Sequence, residues 1–284
     1  MQFVKMHGLG NDFIIFPEEE TGGVSSWPSF SLKICDRHEG VGGDGVILVL
    51  SSSVADLRMR IFNSDGSEAE MCGNGIRCLA KFAFERGIVN KKEFTVETKA
   101  GIIIPRITEE EEGKVRRVRV NMGKPHFQPR EIPVDLEGKE VKNYPLEVEG
   151  RTFLISALSL GNPHVVIFEI PRDWEKYGRE IENHPLFPEK TNVEFVEVRN
   201  KKEAVVKVWE RGAGATLACG TGAAAVLVAS VREGKLDRKA AIHLPGGTLD
   251  VEWQEEVYIE GPAEEVFSGE INEEVEKEWK LLSV

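Results

Sequence analysis

Cys72-Gly73-Asn74-Gly75 and Cys219-Gly220-Thr221-Gly222 stand 147 residues apart, and each opens an apolar run. The first run is Ile76 to Glu85, closed by Gly87, and the second is Ala223 to Arg232, closed by Gly234. A cysteine at a helix start lies beside backbone N–H groups that have no partner within the helix, and beside the positive end of the helix dipole. A free thiol titrates near about 8.5, and such a position lowers that value. The N–H groups of Gly73, Asn74, Gly220 and Thr221 would form anion sites suited to a carboxylate. The glycines let a small molecule approach the backbone closely. A single buried cysteine is most often inert packing. Two in equivalent places of a repeated unit suggest a pair of thiols facing one pocket, the arrangement with which a two-base racemase takes a proton from one face of a carbon and returns one to the other.

The elements that must position these thiols also repeat. At the offset of 147, Phe62 matches Trp209, Asn63 matches Glu210, Ser64 matches Arg211 and Gly45 matches Asn192. Leu9-Gly10-Asn11 corresponds to Leu160-Gly161-Asn162 at an offset of 151, and Met122-Gly123-Lys124-Pro125 to Glu260-Gly261-Pro262. Landmarks in the same order read as two duplicated units. Strand-like runs dominate: 46–50, 57–62, 94–97, 102–107 and 115–120 in the first half, then 153–158, 165–168, 193–198, 204–209 and 257–259 in the second. The helix after each cysteine is apolar nearly all round, above all Ala223-Ala224-Ala225-Val226-Leu227-Val228-Ala229. Such a helix has to be covered on every side. The expected fold class is therefore α/β (α+β), two pseudo-symmetric domains with strands wrapped around a central apolar helix; strands that do not alternate with helices argue against a doubly wound parallel fold.

Composition narrows the function. The chain has 284 residues, enough for two domains, with 41% hydrophobic and 30% charged residues and a net charge of −12. That balance disfavours nucleic acid as a partner, which needs clustered Lys and Arg. Apolar stretches stop well short of the roughly 20 residues that span a bilayer, and Met1-Gln2-Phe3-Val4-Lys5 has no secretory character. A cytoplasmic protein is expected, without a membrane partner. Four cysteines (Cys35, Cys72, Cys78, Cys219) do not make a disulfide scaffold at this length. Cys35-Asp36-Arg37-His38 offers half of a metal site with no second half, so no metal is expected. Cys78, about 240° round the helix from Cys72, reads as core packing. Gly40-Val41-Gly42-Gly43-Asp44-Gly45 has dinucleotide-fingerprint spacing, but a strand follows it where a helix is required. Glu109-Glu110-Glu111-Glu112-Gly113 reads as a solvated acidic turn. Three Gln among many Glu and Lys fit a thermophile's bias.

Taken together, Phe3-Val4-Lys5-Met6-His7-Gly8-Leu9-Gly10-Asn11-Asp12-Phe13, Arg60-Ile61-Phe62-Asn63-Ser64-Asp65-Gly66, Met71-Cys72-Gly73-Asn74-Gly75-Ile76-Arg77-Cys78, Gly161-Asn162-Pro163-His164, Thr191-Asn192-Val193-Glu194 and Trp209-Glu210-Arg211-Gly212 through Ala218-Cys219-Gly220-Thr221-Gly222 resemble the diaminopimelate epimerases, in family order from residue 3 to about residue 269. The resemblance implies a cofactor-independent epimerase interconverting LL- and meso-diaminopimelate, on the route to lysine and peptidoglycan, with the active site in an interdomain cleft and a homodimer as the assembly. It implies that the C-terminal segment rejoins the first domain, giving domains 1–122 plus 266–284 and 123–265. Carried over by position, Cys72 and Cys219 are the acid/base thiols and His164 and Glu210 their polar neighbours. Asn11, Asn63, Asn162, Asn192 and Arg211 hold the ammonium and carboxylate ends of the substrate, together with Gly73, Asn74, Gly220 and Thr221 and with Glu210. Gly45 departs from members that carry Gln there, which leaves one substrate contact open. Amides, donor and acceptor at once, suit a substrate with an amino acid group at each end, and Arg211 suits a carboxylate.

Three rivals remain at this stage. A proline or hydroxyproline racemase would keep both cysteines but not the asparagines. A phenazine-biosynthesis isomerase shares the duplication but not the cysteine pair. A non-enzymatic amino acid binding protein would have no reason to place two thiols symmetrically.

Overall fold

The computed structural model describes residues 1–138 and 140–282 and divides into two units, Met1–Val120 with Gly261–Val284, and Asn121–Glu260. Residues 139, 283 and 284 of the domain ranges expected from sequence lie outside the described residues.

The first unit opens with a hairpin of β1 (Gln2–Gly8) and β2 (Asn11–Pro17). Its two turn residues, Leu9 and Gly10, have φ of 57° and 86°, the left-handed geometry that matches strand twist and favours glycine. α1 (Trp27–Ile34) leads to β3 (Gly45–Leu50), parallel to β2. β4 (Leu57–Asn63) returns antiparallel and carries the short β5 (Glu68–Ala69). α2 (Gly73–Glu85) then leads to β6 (Val96–Thr98), parallel to β4, and to β7 (Gly101–Ile103). β8 (Arg106–Glu111) and β9 (Lys114–Asn121) form a second hairpin. The run read as one strand over 102–107 is two, because Pro105 has no N–H to give a ladder and holds Ile104 in an extended connection. Glu109 to Glu111 belong to β8, so the acidic turn shrinks to Glu112-Gly113, at φ 52° and 77°.

The second unit repeats this order. β10 (Tyr144–Val148), β11 (Arg151–Ser159) and β12 (Pro163–Ile167) run antiparallel. α3 (Trp174–Glu182) leads to β13 (Asn192–Asn200), parallel to β12. β14 (Glu203–Glu210) is antiparallel to β13 and carries the short β15 (Gly214–Ala215). α4 (Gly220–Arg232) leads to β16 (Lys239–Leu244), parallel to β14, then β17 (Gly247–Trp253) and β18 (Val257–Gly261). The chain then returns to the first unit, where β19 (Glu264–Glu270) pairs with β1 and α5 (Glu273–Lys280) sets Trp279 edge-to-face with Phe30, ring centroids 6.0 Å apart.

The sheet order β19-β1-β2-β3-β4-β6-β7 corresponds strand for strand to the stretch β10-β11-β12-β13-β14-β16-β17 of the longer second sheet, including each parallel pair. The repeat offset changes from 151 to 147 inside the crossover between the first parallel pair, Phe13 with Gly45 in one unit and His164 with Asn192 in the other.

Each sheet curls round its cysteine-capped helix. α4 touches β11, β12, β13, β16 and β17, and every residue from Gly222 to Ser230 is buried. α2 touches β1, β2, β3 and β4, and is buried from Gly73 to Ala83. Burying each Val, Leu or Phe of these helices contributes about 1.5–3 kcal/mol, and alanines at 223, 224 and 225 let the strands come close. The outer face of the first sheet is covered by α1 through Trp27, Phe30 and Ile34. The outer face of the second is covered by α3, where Gly178 admits the Trp209 ring.

Candidate active site

Both cysteines are the N-cap residues of their helices. Cys72 (φ −140°, ψ 122°) accepts the Gly75 N–H at 3.5 Å, and Cys219 (φ −120°, ψ 113°) accepts the Gly222 N–H at 3.3 Å. Sulfur is a weak acceptor, and Ser, Thr, Asp or Asn cap helices better. Two sulfur caps at equivalent places therefore point to chemistry. The other two thiols lie in the core, where burial pushes both Cys35 and Cys78 up to about 12.

Around Cys72 the first unit builds an amide relay. The thiol donates to Asn11 Oδ1 at 3.7 Å, and Asn74 Nδ2 donates to the same oxygen at 3.0 Å. Asn11 Nδ2 donates to Asp44 Oδ2 at 2.8 Å, which fixes which end of the amide faces the sulfur. Asp44 is held in turn by the Asp12 N–H at 3.0 Å and by Arg37 at 2.9 Å. Burial works against Asp12, but Arg37 and Lys5 bring its carboxyl down to about 2. Asn74 is oriented by Arg77, whose guanidinium donates to Asn74 Oδ1 and to the Gly73 carbonyl, each at 2.9 Å, and to the Pro262 carbonyl at 3.2 Å. Asn63, also expected at the site, ends β4 and donates to Ser67 Oγ at 2.9 Å. It is a turn residue opposite Gly45 and is not hydrogen-bonded to this relay.

The second unit surrounds Cys219 with more ionisable groups. Thr221 Oγ1 lies 3.5 Å from the sulfur and accepts from Asn162 Nδ2 at 3.4 Å. Asn162 Oδ1 lies 2.9 Å from His164 Nε2, and His164 Nδ1 lies 2.7 Å from Glu194 Oε1. Glu210 accepts from Thr216 Oγ1. Burial raises the Glu210 carboxyl, and the nearby Glu194 carboxylate adds to the rise, against hydrogen bonds from Thr216 and Cys219 that lower it. Burial, then Glu210 and Glu194, raise the Cys219 thiol well above its ordinary value. Asn192 is engaged by backbone at both ends, donating to the Pro163 carbonyl at 2.8 Å and accepting the Arg211 N–H at 3.0 Å. The exposed Arg211 side chain donates to the Glu189 carbonyl at 3.2 Å. Asn162, His164, Glu210, Cys219 and Thr221 thus converge, while Asn192 sets the backbone from which Arg211 projects.

A family model described as diaminopimelate epimerase matches residues 3–128 and 156–266. The chain belongs to the diaminopimelate epimerase family. A diaminopimelate epimerase of Heliobacterium modesticaldum is 53% identical over 280 residues, covering 95% of this chain and 99% of that protein. Another, of Pelotomaculum thermopropionicum, is 51% identical over 276 residues, covering 95% and 98%. Among solved structures, a hydroxyproline epimerase from Agrobacterium vitis shares the fold at a TM-score of 0.70 and 15% identity, across 95% of this chain and 91% of that one.

The backbone around Gly45 leaves no room for a side chain. A Cβ at this position would lie 2.6 Å from the Phe62 carbonyl oxygen, a backbone atom on the neighbouring strand. Gly45→Gln is therefore expected to lose about 1–3 kcal/mol of stability, with no gain in substrate affinity. Thermal unfolding and KM measured together check this; an unchanged Tm with a lower KM would show that the pocket accepts the amide.

Three residues of this family site carry no obvious mark in the sequence. Glu194 is a charge between the apolar Val193 and Phe195, Arg77 a charge between the apolar Ile76 and Cys78, and Asp44 lies within a glycine-rich loop. The readable signal for the first two is a charge where the hydrophobic pattern demands an apolar residue, since a buried charge needs a partner.

Proposed function

We propose that this chain interconverts LL- and meso-diaminopimelate by a two-thiol mechanism without an added cofactor. One observation carries the reading: in a chain about half identical to diaminopimelate epimerases, Cys72 and Cys219 cap the first turns of two equivalent buried helices. Each sulfur lies beside N–H groups that can take a carboxylate. The hard step is loss of a proton from the α-carbon, and preorganised helix N-termini aimed at the α-carboxylate lower its barrier. One thiolate removes that proton, leaving the electron pair on carbon. The other thiol delivers a proton to the opposite face and becomes the thiolate, and inversion follows.

Asn11 and Asn162, each placed after a glycine of positive φ in a tight turn, take the ammonium and carboxylate groups, with Asn74, Gly73, Gly220, Thr221, Glu210 and Arg211. Asn63 and Asn192 complete the distal recognition once the substrate displaces their present partners. The two domains are taken as 1–122 with 266–284, and 123–265, and the working assembly as a homodimer in the cytoplasm. Among the described residues no helix is long and apolar enough to cross a membrane. A proline-type racemase is the second reading, favoured only by the shared fold.

Purified protein incubated with LL-diaminopimelate in D₂O is expected to give meso-diaminopimelate deuterated at the inverted carbon, with no added pyridoxal phosphate and in the presence of EDTA. Chiral chromatography with mass detection reads both products. Activity that depends on added cofactor, or turnover of proline but not diaminopimelate, overturns the proposal.

A further inference from the structure

Glu194 lies on β13 between Val193 and Phe195 and is completely buried, as is His164. Its Oε1 is 2.7 Å from His164 Nδ1, and its Oε2 has no hydrogen-bond partner among the described residues. Proton positions in this cluster follow from its partners. Asn162 Nδ2 donates to Thr221 Oγ1, so Oδ1 is the end that faces His164. An amide oxygen only accepts, so His164 Nε2 carries a hydrogen. Nδ1 and Glu194 then hold one further proton between them, as imidazolium and carboxylate or as imidazole and carboxylic acid. The chain continues outward, because Thr221, its oxygen already accepting from Asn162, can turn its own hydrogen toward Cys219.

The carboxylate is also next to the helix start. A Cβ built on Gly222 would lie 2.9 Å from Glu194 Oε1 and 3.3 Å from Cys219 Sγ, so only glycine leaves room for both. On the other side, Glu210 presents a second carboxyl to the same sulfur. Within the second unit, the charged and titratable groups facing Cys219 are Glu194 and Glu210, with His164 behind Glu194.

We propose that Glu194, paired with His164, is a positioning residue that keeps Cys219 protonated in the free enzyme, so that this half of the site begins turnover as the acid. The proposal rests on the epimerase reading for its meaning. A buried carboxyl whose Oε1 crowds the same Gly222 position as the Cys219 sulfur opposes negative charge on that sulfur, and the proton shared with His164 holds the carboxyl in place. The Cys72 thiol is hydrogen-bonded to the Asn11 amide, with Asn74 and the Arg77 guanidinium behind it.

The test is the rate of iodoacetamide modification of each cysteine from about pH 6 to about pH 10, read by peptide mass spectrometry on the free enzyme, since only the thiolate reacts. Wild type, Glu194→Gln and Glu194→Asp are compared. In Glu194→Gln the Cys219 profile is expected to move to lower pH, speeding its modification near neutrality about tenfold, the equivalent of one pH unit, while the Cys72 profile stays. Glu194→Asp, which keeps the charge but draws it back from Gly222, is expected to move Cys219 by roughly threefold. An unmoved or higher Cys219 profile overturns the proposal, as does an equal shift at Cys72. Should Glu194→Gln not fold, the Asp variant decides alone, and no change there is fatal to the idea. No turnover is needed, so this result stands or fails separately from the diaminopimelate assay.

Discussion

Cys72→Ser and Cys219→Ser are each expected to reduce epimerisation by about 10³-fold or more, within the range by which a positioned acid or base contributes, while leaving the fold intact. Serine is a better helix cap than cysteine, so the Gly75 and Gly222 N–H groups keep a partner at each mutated position, and thermal stability holds or rises slightly. The loss is therefore chemical: an alcohol is too weak an acid to supply an alkoxide base at neutral pH. The thiol that remains can still remove the proton on its own side. Each variant is then expected to exchange the α-hydrogen of one stereoisomer with D₂O without inverting it, and the two variants to prefer opposite isomers. Proton NMR of LL- and meso-diaminopimelate incubated with each variant reads both rates. Exchange of the same isomer by both variants, or near wild-type epimerisation by either, would remove the two-thiol mechanism from this chain.

The second large effect lies one turn along from Cys72. Arg77 is completely buried, yet its acceptors among the described residues are two carbonyls and one amide oxygen, with no carboxylate among them. Burial pulls its pKa down, although a guanidinium remains a cation in proteins. Arg77→Met fills much of the same space but leaves the buried Gly73 and Asn74 oxygens and the part-buried Pro262 carbonyl without these donors, at about 1–3 kcal/mol for each that finds no other. A loss of about 3 kcal/mol or more is expected, with midpoint shifts in urea unfolding as the measurement. Arg77→Lys is not a conservative repair, because a single ammonium does not reproduce the planar fork that reaches all three oxygens. Asn74 Oδ1 would also lose its Arg77 donor, one of the contacts orienting the amide that donates to Asn11 Oδ1. A Met variant as stable as wild type, with unchanged KM, would show that the acceptors find water and that Arg77 has no part in orienting Asn11.

How much of this was readable beforehand depends on the range over which each feature is determined. The two helix starts were, because cysteine, glycine and the apolar run that follows are all local. So were strands such as β3 and β13, whose hydrophobic runs are buried on both faces. β1 was less visible: Lys5 is buried in its middle, bonded to the Gly42 carbonyl and 2.7 Å from Asp12, and interrupts the apolar pattern. α1 is signalled by Ser26 as its cap and Pro28 in its first turn, but α3, Trp174-Glu175-Lys176-Tyr177-Gly178, is largely polar and contains a glycine that only the Trp209 contact explains. The roles of Glu194 and Arg77 depend on register. β12 and β13 pair His164 with Asn192 and Val166 with Glu194, and no spacing within either segment reveals that the carboxylate reaches the imidazole.

The first unit is interrupted by the whole of the second, and β1 receives its partner β19 only after the intervening residues have been made. That order gives the chain a sequence of assembly. Loop-closure entropy grows with the length of chain to be closed, so pairing β1 with β19 across an unfolded insert is unfavourable. Once the second unit folds, its own ends are stitched together: the Met122 N–H reaches the Val257 carbonyl at 2.8 Å, and the Val257 N–H reaches the Gly123 carbonyl at 2.9 Å. The gap facing β19 then shrinks to a few residues, which removes roughly 3 kcal/mol of closure cost. The inserted unit thus acts as an internal clasp during synthesis, and until it closes, one edge of β1 stays unpaired and open to association with other chains.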